Sequence, residues 1–312
     1  MDILIAALTI VGLSLFELVS SIDNAVINAD VLSNMSHWAR RWFLTWGMFI
    51  AVFLVRGMLP FLIVFFLNPQ LGVMGTLTAA FSDDPSVAAA VEQSAPPLLM
   101  AGGVFLVFLF LHWLFLEPKN YGLMGESLIH KHGVWFYALV SILLSILIWY
   151  SVHTSPLIAF GAAVGSSIFF ITHGFKENAS AKEREMIEGG AKMSDWSKIL
   201  YLEVIDASFS IDGELGAFAF TFSVPIILLG NGLGAIAVRQ ITIRNIQNVK
   251  KYLYLKNGAM YSVAFLGIIM IANAFGAHIP EWFSPIVTIV ILGFFFLKSK
   301  RELAQIEKAI KK

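Results

Sequence analysis

Carboxylates stand in this chain where a lipid-facing helix has no use for them. The stretch FELVSSIDNAVINAD, residues 16–30, lies inside the first long apolar run and carries Glu17, Asp23 and Asp30. A later stretch, DASFSIDGELGAF (206–218), carries Asp206, Asp212 and Glu214. The two share a pattern: Ser21-Ile22-Asp23 aligns with Ser210-Ile211-Asp212, and another acid, Glu17 or Asp206, stands six residues upstream. One Asp at the centre of a membrane helix costs about 2.5–3.5 kcal/mol, so four acids turned to lipid would cost on the order of 10 kcal/mol. Such groups must face one another, a basic side chain, water or a cation. Together and empty they repel each other, and a divalent cation reverses that.

The donor set points to a class of ion. Carboxylates of Glu17, Asp23, Asp206 and Asp212, the Asn24 amide and the hydroxyls of Ser20, Ser21 and Ser210 are all oxygen ligands, with Glu214 a candidate addition. Oxygen favours a hard ion such as Mn²⁺, Mg²⁺ or Ca²⁺ over Zn²⁺ or Cu⁺. Ligands must shed protons to bind metal, so a cluster that alternates between metal and protons supports exchange of one for the other. Arg56 and Arg239 would neutralise the empty state; the bland alternative is that they only form buried bridges with the acids. Residues six apart on a regular helix point about 120° apart and lie about 9 Å apart along it, so Glu17 and Asp23 cannot share an ion on an intact helix. Asp23–Asn24 and Asp212–Gly213 favour turns, which predicts breaks there, with backbone carbonyls turned into the cavity. Pro60, four residues after Arg56, predicts a kink beside that charge.

The elements that must position these groups are membrane spans. Of 312 residues, 58% are hydrophobic and 13% charged, and mean hydropathy is +0.78. A soluble chain needs roughly a quarter of its residues charged. The 21 basic and 21 acidic residues cancel, which gives no footing for nucleic-acid binding. The absence of cysteine excludes thiolate ligation and disulfides. The first residues, MDILIAALTIVGLSLF, lack the basic start of a signal peptide and predict a retained first span. Apolar runs of spanning length fall near 3–27, 42–67, 98–116, 134–151, 157–173, 200–222, 224–247, 259–277 and 283–297. Lys and Arg occur in alternate connections only, from Arg40 and Arg41 to the basic tail after Lys298. The predicted fold is therefore an all-α polytopic membrane protein of about nine helices, N-terminus outside and C-terminus cytoplasmic.

The two acidic motifs begin spans 1–2 and 6–7, and each following span carries an arginine about fifteen residues in, Arg56 in AVFLVRG and Arg239 in GAIAVRQ. Five crossings apart, the copies run in opposite directions. That is an inverted-topology repeat, the layout of secondary transporters with a site at the repeat interface. Residues 1–312 form one integral membrane transporter domain, with a first repeat motif at 14–60, a cytoplasmic loop at 174–199 and a second motif at 203–245.

Other features have plainer readings. SDDPSVAAAVEQSAPP predicts a short outer helix with Asp84 as N-cap, Pro85 at its first position and Pro96–Pro97 as its stop. KENASAKEREMIEGGAK predicts a solvated helix ended by Gly189–Gly190. His130 and His132 suit a solvated loop, His112 and His173 the interface, and Glu203 a wet span end. Asp30 and Asn28 would line the inner mouth. Gly161 and Gly165 suit close helix packing, and Gly230, Gly232 and Gly234, which no strand precedes, suit helix packing or a bend. An intramembrane aspartyl protease would need Gly-x-Gly-Asp and Tyr-Asp, neither of which occurs at these acids, so no enzyme is expected.

At ELVSSIDNAV and DASFSIDG the chain resembles the TerC family of bacterial membrane proteins, and overall a TerC-related family of uncharacterised membrane proteins within the lysine-exporter superfamily. Gly213 departs from its pattern, which has a small polar residue there. The resemblance implies a bacterial inner (cytoplasmic) membrane protein that exports Mn²⁺, with a link to tellurite resistance. It implies a metal site of Glu17, Asp23, Asp206 and Asp212, with Asn24 beside it. The expected partners are the lipid bilayer, the divalent ion as cargo and protons as counter-ion, with no cofactor. The alternatives are a non-transporting member of a metal or tellurite stress-response complex, and an amino-acid exporter, whose substrate carboxylate four acids would repel.

Overall fold

A computed structural model describes residues 2–21, 31–32, 35–47, 49–50, 58, 65, 72–75, 85–188, 194–244 and 251–310. Within these it describes backbone alone at 85–94, 176–188, 205, 207–210, 212, 241–244, 307 and 310. The helices are α1 (Ile3–Ser20), α2 (His37–Trp42), α3 (Pro85–Phe115), α4 (Glu126–His130), α5 (Trp135–Thr154), α6 (Pro156–Glu188), α7 (Asp195–Ala217), α8 (Val224–Arg244), α9 (Leu255–Ala274) and α10 (Phe283–Ile310). A π-helical turn, Phe43–Gly47, follows α2. Among the described residues there is no strand.

Six described helices hold stretches long and apolar enough to cross a membrane: Ile3–Ser20, Ala95–Phe115, Trp135–Thr154, Pro156–Phe175, Leu255–Ala274 and Phe283–Ile306. In α8 the apolar part, Val224–Gln240, is shorter. The chain is thus an integral membrane protein, all-helical among the described residues. The expected span over 200–222 is helical as α7, but Glu203, Asp206, Asp212 and Glu214 keep it out of the strongly apolar class. The expected span over 42–67 lies largely outside the described residues.

Small residues set how the helices pack. α3 lies between α6 and α9. A Cβ at Gly161 or Gly165 would collide with the Pro97 or Ala101 carbonyl, so α6 runs beside α3 backbone to backbone and in the same direction. On its other side, Gly103 meets Gly267 of α9, where a Cβ on either would come within 3.0 Å of the other's carbonyl oxygen. Gly102 faces Met270 while Leu106 and Val107 face Gly267, so α3 and α9 run oppositely. Without apolar driving force between helices in lipid, this close approach is the source of attraction. Met100, Val104, Phe105, Phe108 and Phe169 fill the centre, all buried.

Three expectations are corrected. α3 starts at Pro85 as expected, but Pro96 and Pro97 lie inside it rather than ending it. Their missing N–H groups remove two helical bonds, yet α3 continues into its long contact with α6 and α9. α6 does not stop at the membrane edge: the predicted separate helix in 174–199 is its continuation to Glu188. α7 is unbroken through Asp212–Gly213. Gly213 serves a close approach there, not a turn. α1 ends at Ser20, ahead of Asp23–Asn24, which lie outside the described residues.

Candidate functional site

Glu17 occupies the last turn of α1 and is 1% exposed. Its oxygen Oε1 accepts a hydrogen bond from Ser21 Oγ at 2.6 Å, and Ser20 Oγ donates to the Glu17 carbonyl at 3.3 Å. Two glycines make room for it. A Cβ at Gly213 of α7 would stand 2.8 Å from Glu17 Oε2, and one at Gly234 of α8 would stand 2.6 Å from Glu17 Cβ. The first acidic motif therefore meets the second where α1, α7 and α8 come together. Asp212 and Glu214 flank Gly213 in sequence.

The α1–α8 contact is the frame of this place. Gly230 receives Leu13, Gly234 receives Ser14 and Glu17, and Ser14 Oγ donates to the Gly230 carbonyl at 3.0 Å. Contacts advance together along both chains, so α1 and α8 run the same way. Against α7 the order reverses: Phe16 meets Gly216 and Glu17 meets Gly213. The glycines expected to serve packing do so at Gly230 and Gly234.

Glu214, 1% exposed, accepts from Asn231 Nδ2 of α8 at 3.0 Å. Asn231 is 2% exposed and was not singled out by its sequence. Arg239 is placed elsewhere. It donates to the Phe43 carbonyl, and its guanidinium lies 4.7 Å from the Phe43 ring centre. Asp206 and Glu203 are within its electrostatic reach. Glu203, expected to be wet, is partly buried, and its carboxylate abuts Gly47. Ser210 and Asp212 lie on α7 with their backbone alone described; Asp23, Asn24, Asn28, Asp30 and Arg56 lie outside the described residues.

Another polar group, beyond the end of α3, is one that sequence reasoning missed. Glu126 is 2% exposed. It accepts from the backbone of Gly122 (2.7 Å) and Leu123 (3.0 Å), Asn257 Nδ2 (3.2 Å) and Tyr261 Oη (2.9 Å). Glu117 pairs with Lys256 at 2.8 Å and with His112 Nδ1 at 3.5 Å. Burial works against the charged Glu117, but His112 and Lys256 outweigh it and hold its carboxyl at about 2. Lys119 donates to the Trp113 and Leu114 carbonyls, both at 2.5 Å, closing the end of α3. Burial brings its ammonium down to about 8 against the pull of Glu126 and Glu117. His112, expected at the interface, is buried with its ring centre 3.9 Å from that of His173. This group clamps the connection after α3 onto α9. The weak sequence signal was a glutamate at the start of a short helix, the usual place for a solvated acid.

The meeting of α1, α7 and α8 carries two buried acids, Glu17 and Glu214, while among the described residues no three acidic or histidine side chains gather as a metal-holding group. Comparison with known proteins agrees on the setting. A stretch of 99 residues, 32% of the chain, is 28% identical to the "Uncharacterized membrane protein YceF" of Bacillus subtilis (strain 168) and spans 38% of that relative's length. No solved structure matches the chain. The family model described as "Protein of unknown function (DUF475)" matches residues 22–305, from after α1 into α10, which takes in the whole second acidic motif and the first only from Ile22 on, and the chain belongs to that membrane protein family.

Proposed function

We propose that the chain exports a divalent metal ion across the membrane, Mn²⁺ above other hard ions, in exchange for protons. The observation that carries this is the approach of Glu17 Oε2 to Gly213. It sets the acid of one motif against the backbone between Asp212 and Glu214 of the other. Arg239 binds the Phe43 carbonyl and stacks on its ring with Asp206 and Glu203 within its electrostatic reach, which suits it to neutralise those acids when no ion is held. The helix directions support the nine-span inverted repeat. α1 and α8 run together, which fits six reversals of the chain between them and so a crossing over 42–67. α1 and α7 run oppositely, as first members of inverted copies should. The ion would be held by Glu17, Asp23, Asp206 and Asp212 with Asn24. Mn²⁺ over Mg²⁺ or Ca²⁺, and a bacterial inner-membrane location, rest on the resemblance to TerC-like proteins.

Everted vesicles carrying the wild type should take up Mn²⁺, while Asp23→Asn and Asp212→Asn, expressed to the same level, should not. Normal uptake by both variants would end this proposal. A panel of Mn²⁺, Mg²⁺, Ca²⁺ and Zn²⁺ against purified wild type and Asp212→Asn separates transport from scaffolding. A site-bound ion raises the melting temperature of the wild type alone, and a scaffold responds to none.

A further inference from the structure

An unbroken α7 limits what its acids can share. Asp206 and Asp212 stand on it about 9 Å apart along the axis and about 120° apart around it, so no single ion touches both. An ion held at one level of the bundle must take its other oxygens from neighbouring helices. Beside Asp212, the acids at the level of Gly213 are Glu17 of α1 and Glu214 of α7, both buried. Among the described residues no three acids or histidines gather. A hard divalent ion takes roughly six oxygens or more, so neutral ligands have to fill out its shell.

Asn231 offers one. It follows Gly230 on α8 and precedes Gly234 by less than a turn, and those two glycines receive Leu13 and Glu17 of α1. The side chain is closed off from water at this junction. Its Nδ2 donates to Glu214 Oε1 at 3.0 Å, while its Oδ1 is buried and, among the described residues, accepts no hydrogen bond. A buried amide oxygen without a donor is costly to keep. Both ends of the amide hang on one carbon, so this oxygen stays beside the carboxylate that the nitrogen touches. A cation is the other complement of a carbonyl oxygen.

We infer that Asn231 is a ligand of the transported ion, giving its amide oxygen alongside the carboxylates of Glu17 and Glu214 where α1, α7 and α8 meet. This rests on the transport reading above and adds to it a neutral ligand from the second helix of the second motif. The two carboxylates match the charge of one divalent ion. The amide is a hard oxygen ligand that brings no further charge to be compensated once the ion has gone. The last torsion of an asparagine is soft, and turning it exchanges the amide's ends. With the site empty the N–H holds Glu214; with an ion present the oxygen faces it and the N–H swings away. One side chain thereby serves both states, which neither aspartate nor leucine in its place could do.

Calorimetry and melting curves on the purified full-length protein test this, with Mn²⁺ as the probe. The wild type should bind Mn²⁺ and melt higher with it. Asn231→Leu should bind about ten-fold or more weakly, with a smaller rise in melting temperature. Asn231→Asp keeps an oxygen for the ion but loses the N–H that holds Glu214. Without metal it should melt below the wild type, because two carboxylates then face each other, and Mn²⁺ should raise it by more than it raises the wild type. If Asn231 only positioned Glu214 through its N–H, Asn231→Asp would bind Mn²⁺ as weakly as Asn231→Leu. That result, or unchanged affinity in Asn231→Leu while Asp212→Asn loses it, would overturn the ligand assignment and leave the transport reading standing. Should Asn231→Leu fail to fold, Asn231→Asp decides alone: a rise no larger than the wild type's rejects the amide oxygen. A wild type that Mn²⁺ does not stabilise removes the transport reading, and this ligand with it.

Discussion

Glu17 shows how a single acid is fitted into an apolar bundle. Ser21 supplies one donor, and Gly213 and Gly234 supply clearance. The two glycines should fail differently. In Gly213→Ala the new methyl meets the tip of a flexible side chain, so the carboxylate is displaced while the fold survives. The expected result is a loss of about ten-fold or more in Mn²⁺ affinity by calorimetry, with a change in stability under about 1 kcal/mol. In Gly234→Ala the methyl meets Glu17 Cβ and the Ser14 carbonyl at 2.8 Å, neither of which can swing away. Overpacking of that kind costs about 1–3 kcal/mol, visible as a lower melting temperature with or without metal. The sequence made Glu17 conspicuous through its apolar surroundings and its repeat. It said nothing of Asn231 or Glu126, because which polar group a buried acid will meet depends on helices far apart in the chain. Glu126→Ala should strand four donors that now share one carboxylate, costing about 2–4 kcal/mol in thermal unfolding.

At the scale of helices, composition located most of the membrane segments but misjudged their ends. Pro96–Pro97 and the charged stretch after Lys176 were natural stops for a local reading, and α3 and α6 pass through both. Turn propensity at Asp212–Gly213 was likewise overridden by α7. Propensity is a weak guide wherever neighbouring helices decide the conformation. The small-residue spacing of Gly161 and Gly165 was more faithful, since it encodes contact directly. Gly165→Leu would drive a side chain into the Ala101 carbonyl and force α6 from α3. It should yield protein that loses a single sharp melting transition and elutes broadly in detergent, whereas Gly174→Leu, where a Cβ meets nothing within 4 Å, should behave as the wild type.

Across the whole molecule, the clamp of Glu117, His112 and Lys256 ties α3 to the start of α9 and gives stability a pH dependence. The Glu117 carboxyl titrates at about 2 in the folded protein against an ordinary 4.5. Its contribution is complete above the ordinary value and fades as pH falls from there toward 2. Lys256 is 39% exposed, so water screens the pair and about 1 kcal/mol is a fair size. Melting curves between pH 6 and 3 should show the wild type losing more stability than Lys256→Ala, and parallel losses would exclude the clamp as the cause. The glycine seam between α1 and α8 has a mechanical consequence. Joined over more than a turn by Gly230, Gly234 and the Ser14 hydroxyl, those two helices must travel as one rod. Glu17 and Asn231 then keep a fixed spacing, and any opening toward either side of the bilayer falls to the slippage of α7 along that rod.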